Sequence, residues 1–229
     1  MCIVSFFPTV EGFIFSSNRD EKQQRPTLEP KFYDHPSPLI YPKDMDHGGT
    51  WFAVDSIKRQ LFCVLNATGV QPTTTEKISR GKLPINLLLG DDTILSSSSL
   101  KHIAPFQLVN VSFSETLKLV HFHWDGNVLK NTLLDETTPH IWSSNTLYKE
   151  EKRQHLKTQF KLHSNEFNQW NDLINFHKTV AQPLHNNVFI KKDKGLQTVS
   201  ITSLKLQDET IELYYNNLLD DAQYYKKAI

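Results

Sequence analysis

The sequence predicts an α+β protein in which helices cover the faces of antiparallel sheets. Short aromatic and β-branched runs bounded by turn residues recur through the first third and again between residues 106 and 134. Asp125-Gly126 marks a hairpin between two of these runs. From residue 150 the apolar spacing changes to a helical period.

The first strands are expected at Cys2 to Phe7, Phe13 to Ser17, Thr50 to Val54 and Gln60 to Leu65. Between the second and third lies Arg25 to Gly49, which carries Pro26, Pro30, Pro36, Pro38 and Pro42 and shows little periodicity; it reads as a surface loop near a site. Pro84 and the apolar Ile85, Leu88 and Leu89 predict a short helix over Lys82 to Leu89, opened after Gly81 and closed by Gly90. Three antiparallel strands follow at Phe106 to Phe113, Thr116 to Trp124 and Asn127 to Leu134. Glu150 to Leu162 reads as a charged helix with Leu156 and Phe160 on one face. Ser164 is placed to cap a second helix, whose Phe167, Trp170, Leu173 and Ile174 form an apolar stripe. Thr198 to Leu206 and Thr210 to Tyr215 close the chain as a hairpin.

Composition bounds the function. The chain has 229 residues, 38% of them hydrophobic, enough for one substantial core or two small ones, and one domain is expected. Lys+Arg and Asp+Glu stand at 25 each, so no global field attracts nucleic acid or an anionic membrane. The two cysteines, Cys2 and Cys63, have neither CxxC nor Cys/His metal spacing, which argues against a disulfide framework and a structural zinc site and fits a reducing compartment. The first 21 residues lack a basic leader region, are interrupted by Pro8 and Glu11, and contain no 18-residue apolar run. The expectation is a soluble cytoplasmic protein without an integral membrane segment. The chain has ten histidines, and His121 and His123 share one face of a strand, but no companion ligand is evident, so no metal and no cofactor is called for.

The residue with the most chemical potential is Cys2. Removal of Met1 would give it a free α-amine of reference pKa about 7.7 to 8.0 beside a thiol of about 8.5, a nucleophile carrying its own base. The other reading is a small buried hydrophobe at the start of a strand. Asn18-Arg19-Asp20-Glu21 directly follows the second predicted strand and comes beside the start of the first if the two pair. A cation there favours thiolate, and a carboxylate can hold the α-amine; the same tetrapeptide also reads as a solvated turn. Gly48-Gly49 before Thr50-Trp51 reads as a turn with positive φ or a close backbone approach, with Trp51 available to line a pocket. Arg80-Gly81 is either an anion site at a helix start or a helix-entry turn.

Taken in order, Met1-Cys2-Ile3-Val4-Ser5-Phe6-Phe7, Asn18-Arg19-Asp20-Glu21, Arg25-Pro26, Gly48-Gly49-Thr50-Trp51-Phe52-Ala53-Val54, Asn66 and Ser79-Arg80-Gly81 resemble the signature of the NRDE family. Ser144-Asn145-Thr146-Leu147 is similar to that family's segment before a long helix. The match covers essentially the whole chain, so residues 1–229 are expected to form a single NRDE family domain. The resemblance extends to N-terminal nucleophile hydrolases of the choloylglycine hydrolase type. It implies a four-layer αββα sandwich of antiparallel sheets in which Cys2 attacks the carbonyl of a non-peptide C–N amide in a small or lipid-like molecule. It implies that Arg19 stabilises the thiolate, that Asp20 orients the α-amine, and that Asn66 and Asn145 supply oxyanion donors or position that amine. Asn18, Trp51 and Arg80 are the expected substrate contacts.

Two departures stand against that pattern. Gln197, in Gly195-Leu196-Gln197-Thr198-Val199-Ser200, occupies the place of an expected arginine, and Tyr148-Lys149-Glu150 replaces an expected Trp-Pro stretch. Loss of a guanidinium removes a fixed charge available to a thiolate or an anionic substrate. The competing expectation is therefore a non-catalytic binding or trafficking protein for an apolar ligand such as an acyl lipid, acyl-CoA or haem.

Overall fold

The computed structural model describes residues 3–167, 169–181, 195–220 and 222–228. The expected α+β class is present as two large antiparallel sheets with few helices. The backbone divides into two compact units, residues 1–24 with 137–229, and residues 25–136.

The first unit is built on a six-stranded sheet formed by β1 (Ile3–Thr9), β2 (Gly12–Lys22), β10 (His140–Ser143), β11 (Leu196–Gln207), β12 (Thr210–Asn217) and β13 (Ala222–Ala228). Their order is β10-β1-β2-β11-β12-β13. Two helices, α3 (Glu150–Ser164) and α4 (Trp170–Ala181), pack on it, α4 against β2 and β11 and α3 against β10. Ile14, Phe160, Leu173 and Phe176 form one apolar cluster of this layer, and Ile3, Tyr148 and Leu156 form another. Strand alternation explains the pairing of faces: Ile3, Ser5, Ile14, Ser16 and Asn18 share one side of the sheet through the Ile3↔Asn18 and Ser5↔Ser16 register. The short side chains of Ser5 and Ser16 carry polar groups under a helix, and each is satisfied: Ser5 by His177, and Ser16 by Ser203, which in turn accepts from Trp170 Nε1 at 2.7 Å.

The second unit is a seven-stranded sheet in the order β3-β4-β5-β6-β7-β8-β9. Its strands are β3 (Thr27–Tyr33), β4 (Leu39–Asp44), β5 (Phe52–Asp55), β6 (Gln60–Asn66), β7 (Phe106–Ser112), β8 (Lys118–Trp124) and β9 (Leu129–Leu134). The short helices α1 (Leu83–Leu88) and α2 (Ser97–Leu100) lie between β6 and β7 in sequence, and Pro84 sits in the first turn of α1 as expected.

Arg25 to Gly49 is not a long loop, because it contains β3 and β4. Its prolines sit where a ladder tolerates a missing N–H. Pro30 lies in the edge strand β3, at the register shift between Leu28 and Lys31. Pro42 lies beyond the only β4–β5 pairs, Leu39↔Asp55 and Ile40↔Val54. Ser164 does not cap α4. It ends α3, with its hydroxyl donating to the Lys161 carbonyl at 2.9 Å, while Asp172 accepts from the Gln169 N–H at 2.9 Å at the start of α4. Among the described residues, no helix is long and apolar enough to cross a membrane.

Candidate functional site

The Asn18-Arg19-Asp20-Glu21 run lies inside β2, which continues to Lys22, and is not a turn after it. β2 is extended because β11 pairs along its whole length, from Gly12↔Gln207 to Lys22↔Leu196, with a bulge between Thr198 and Ser200 opposite Arg19 and Asp20. Asn18, Arg19 and Asp20 are all buried. A buried run of this polarity requires partners, since an unsatisfied buried carboxylate or amide is costly.

Asp20 has them. Tyr148 Oη donates to Asp20 Oδ2 at 2.6 Å, and Thr198 Oγ1 donates to Asp20 Oδ1 at 2.5 Å. Tyr148 belongs to the segment that departs from the expected Trp-Pro pattern, and Thr198 lies one residue after the unexpected Gln197. Gln197 itself faces Glu21 in the β11–β2 register and is half-buried.

Asn18 is held by α4. Its Nδ2 donates to the His177 carbonyl at 3.2 Å, and its Oδ1 lies 2.5 Å from His177 Nδ1. The other ring nitrogen, Nε2, lies 2.7 Å from Ser5 Oγ. Burial pushes the His177 imidazolium down to about 3, so the ring is neutral. Because Nδ2 faces a carbonyl, Oδ1 is the Asn18 atom that meets the ring, and Nδ1 must carry the proton. Nε2 then accepts from the Ser5 hydroxyl.

β1 runs between β2 and β10, and Ile3 pairs with Asn18 on one side and Ser143 on the other. Asn145 follows Ser143 by two residues in a half-buried turn, whose backbone is closed by Tyr148 N–H to the Ser144 carbonyl at 3.1 Å. Backbone pairing therefore gathers three of the sequence motifs, the starts of β1 and β10's outgoing turn and the polar run of β2. Cys2 lies outside the described residues, which begin at Ile3.

Asn66, Trp51 and Arg80 belong to the second unit. Asn66 ends β6 opposite Phe106 and is half-buried. Trp51 is buried just before β5, and its carbonyl accepts from Val64 N–H at 2.9 Å. Arg80 opens a single 3-10 turn over Arg80–Lys82, capped by Ser79, and its Nη1 donates to the Pro105 carbonyl at 3.0 Å. Burial lowers its pKa. Gly48 has φ +64, and a Cβ on Gly49 would stand 2.6 Å from the Gly81 carbonyl oxygen, which accepts from Thr50 N–H at 2.9 Å. The Gly48-Gly49-Thr50 and Ser79-Arg80-Gly81 motifs are thus one backbone junction. Arg25 braces its approach through an ion pair with Asp44 at 2.8 Å, and Asp44 N–H donates to the Gly49 carbonyl at 2.9 Å.

Tyr148, Thr198 and His177 were not singled out by sequence. His177 stands seven residues after Trp170 in an amphipathic helix, a spacing that continues the buried stripe and is a usable signal. The hydroxyls had none, since their partner lies far away in the chain. A separate feature of the first unit is a cavity of about 350 Å³ between α3 and α4, with Leu156, Phe167, Phe176 and Val180 as apolar walls and Lys152 and His155 beside them. Burial lowers the Lys152 pKa.

A comparison with curated proteins finds no match. A comparison with protein families matches residues 1–224 to Transport and Golgi organisation 2. Spanning both units and every motif described above, that match means that the chain belongs to the Transport and Golgi organisation 2 family, the NRDE family its ordered motifs resemble.

Proposed function

We propose that this protein is a cysteine N-terminal nucleophile hydrolase of four-layer αββα type acting on a non-peptide C–N amide of a small or lipid-like molecule. With Met1 removed, the Cys2 α-amine takes the thiol proton and the thiolate attacks the amide carbonyl; the amine leaves with that proton, and water then releases the acid from the thioester. Arg19 favours the thiolate, Asp20 holds the α-amine, and Asn145 and Asn66 are the candidate oxyanion donors.

The observation supporting this reading is the buried Asp20 carboxylate, fixed by the Tyr148 and Thr198 hydroxyls on the strand that pairs with the start of β1. A carboxylate on a solvated turn would have no such constraint. The test is brief, limiting treatment with a thiol electrophile followed by intact and N-terminal peptide mass. The buried Cys63 serves as the internal reference. Loss of Met1 with Cys2 labelled far faster than Cys63 supports the reading; retained Met1 with a sluggish Cys2 sinks it.

The α3–α4 cavity favours a second reading, non-catalytic binding of an apolar ligand such as an acyl lipid, acyl-CoA or haem. That reading expects binding to survive Cys2→Ala, whereas hydrolysis does not.

A further inference from the structure

The Ser5, His177 and Asn18 side chains form a continuous hydrogen-bonded chain that is wholly buried. Its order, hydroxyl to imidazole to amide, is that of a nucleophile with base and orienter, but none of the three is open to solvent, and each ring nitrogen is committed. Burial of this kind is suited to holding atoms in place.

What it holds is specific. Ser5 is on β1 and Asn18 on β2, diagonal neighbours on one face because Ile3 pairs with Asn18 and Ser5 with Ser16. One imidazole therefore bridges both strands near the start of β1, and the His177 backbone carbonyl takes a third contact from Asn18. α4 is also pinned a helical repeat earlier, where Trp170 reaches Ser203 and Ser203 reaches Ser16. The helix is thus fixed against rotation, and His177 lies over the start of β1 and the Asn18–Asp20 end of β2.

We infer that His177 is a positioning residue that clamps the start of β1 to the Asn18–Asp20 run of β2, setting the frame in which the Cys2 nucleophile meets Asp20. It rests on the hydrolase reading above for its catalytic consequence, but not for the clamp itself. Asn18, expected from sequence as a substrate contact, is on this account occupied by His177.

The experiment compares wild type with Ser5→Ala, His177→Gln and His177→Leu. Ser5→Ala removes a single contact, and His177→Gln retains a side-chain amide able to replace part of the clamp. Two quantities are read on samples shown by circular dichroism to be folded: the pH profile of Cys2 alkylation by iodoacetamide, and hydrogen exchange of the peptide covering the start of β1. The clamp predicts faster exchange there in Ser5→Ala, alkylation slowed roughly 10-fold or more with a displaced pH profile, and partial recovery for His177→Gln relative to His177→Leu. Unchanged exchange and an unchanged profile in the folded variants overturn it. If wild-type Cys2 is itself unreactive while exchange still rises in the variants, the clamp stands and only the hydrolase reading fails.

Discussion

Tyr148 donates its hydroxyl hydrogen bond to Asp20 at 2.6 Å across a sequence separation of 128 residues. The bond ties the turn leading into α3 to the polar end of β2, and Tyr148 also packs with Ile3 and Leu156. Tyr148→Phe keeps that packing and removes the donor. We expect a loss of about 1.5–3 kcal/mol in urea denaturation, the range for a hydrogen bond to a charged acceptor. Thr198→Val removes the other donor at similar cost, and because both meet one carboxylate, the double variant should deviate from additivity. Additive losses would mean that Asp20 is not the shared partner.

The pH dependence follows from His177. Its folded-state pKa is lowered to about 3, below the ordinary histidine value, so between those limits the unfolded chain binds the additional proton. Stability is fully present above about pH 6.5 and is lost as pH falls, with a slope approaching about 1.4 kcal/mol per pH unit for this group. His121, lowered to about 4 by burial and by His123, adds a contribution of the same sign in the other unit. Denaturation midpoints between pH 5 and 6.5 should show a shallower slope for His177→Gln than for wild type; parallel slopes would contradict the assignment.

Gly48 and Gly49 should respond differently to alanine. At Gly48 a Cβ meets open space and only the φ of +64 is strained, a cost of about 1 kcal/mol. At Gly49 it meets the Gly81 backbone at 2.6 Å, and the junction must open, which should cost more than about 2 kcal/mol. Urea midpoints of the two variants rank them directly.

Arg80 separates two roles in one assay. Its donation to Pro105 predicts that Arg80→Ala loses about 1–3 kcal/mol of stability. A substrate contact would instead raise KM or ligand Kd with little change in the denaturation midpoint.

The strand frame was largely legible because alternation and turn residues are local signals: β1, β6, β7, β8 and β9 stand where the sequence places them, within a few residues at their ends, and β2 starts where expected but runs on to Lys22. β3 and β4 were obscured by prolines whose harmlessness depends on which neighbour each strand has, a tertiary fact. β10, only four residues long, and the outer strand β13 carry too little pattern to stand out. The extension of β2 through its charged run depends on β11, which arrives near the other end of the chain. For the same reason Asp20 was readable as a candidate, whereas Tyr148 and Thr198, which fix it, were not.

The first unit is assembled from two pieces of chain with the whole second unit lying between them in sequence. During synthesis β1 and β2 emerge early but must wait for β10, α4 and β11 before Asn18 and Asp20 acquire partners. The strands of the second unit, each paired with its neighbour in order, can close as they appear. Folding of the first unit is therefore dominated by late, long-range contacts and should be the slow step, leaving the nascent N-terminal hairpin dependent on protection from aggregation until the last strands arrive.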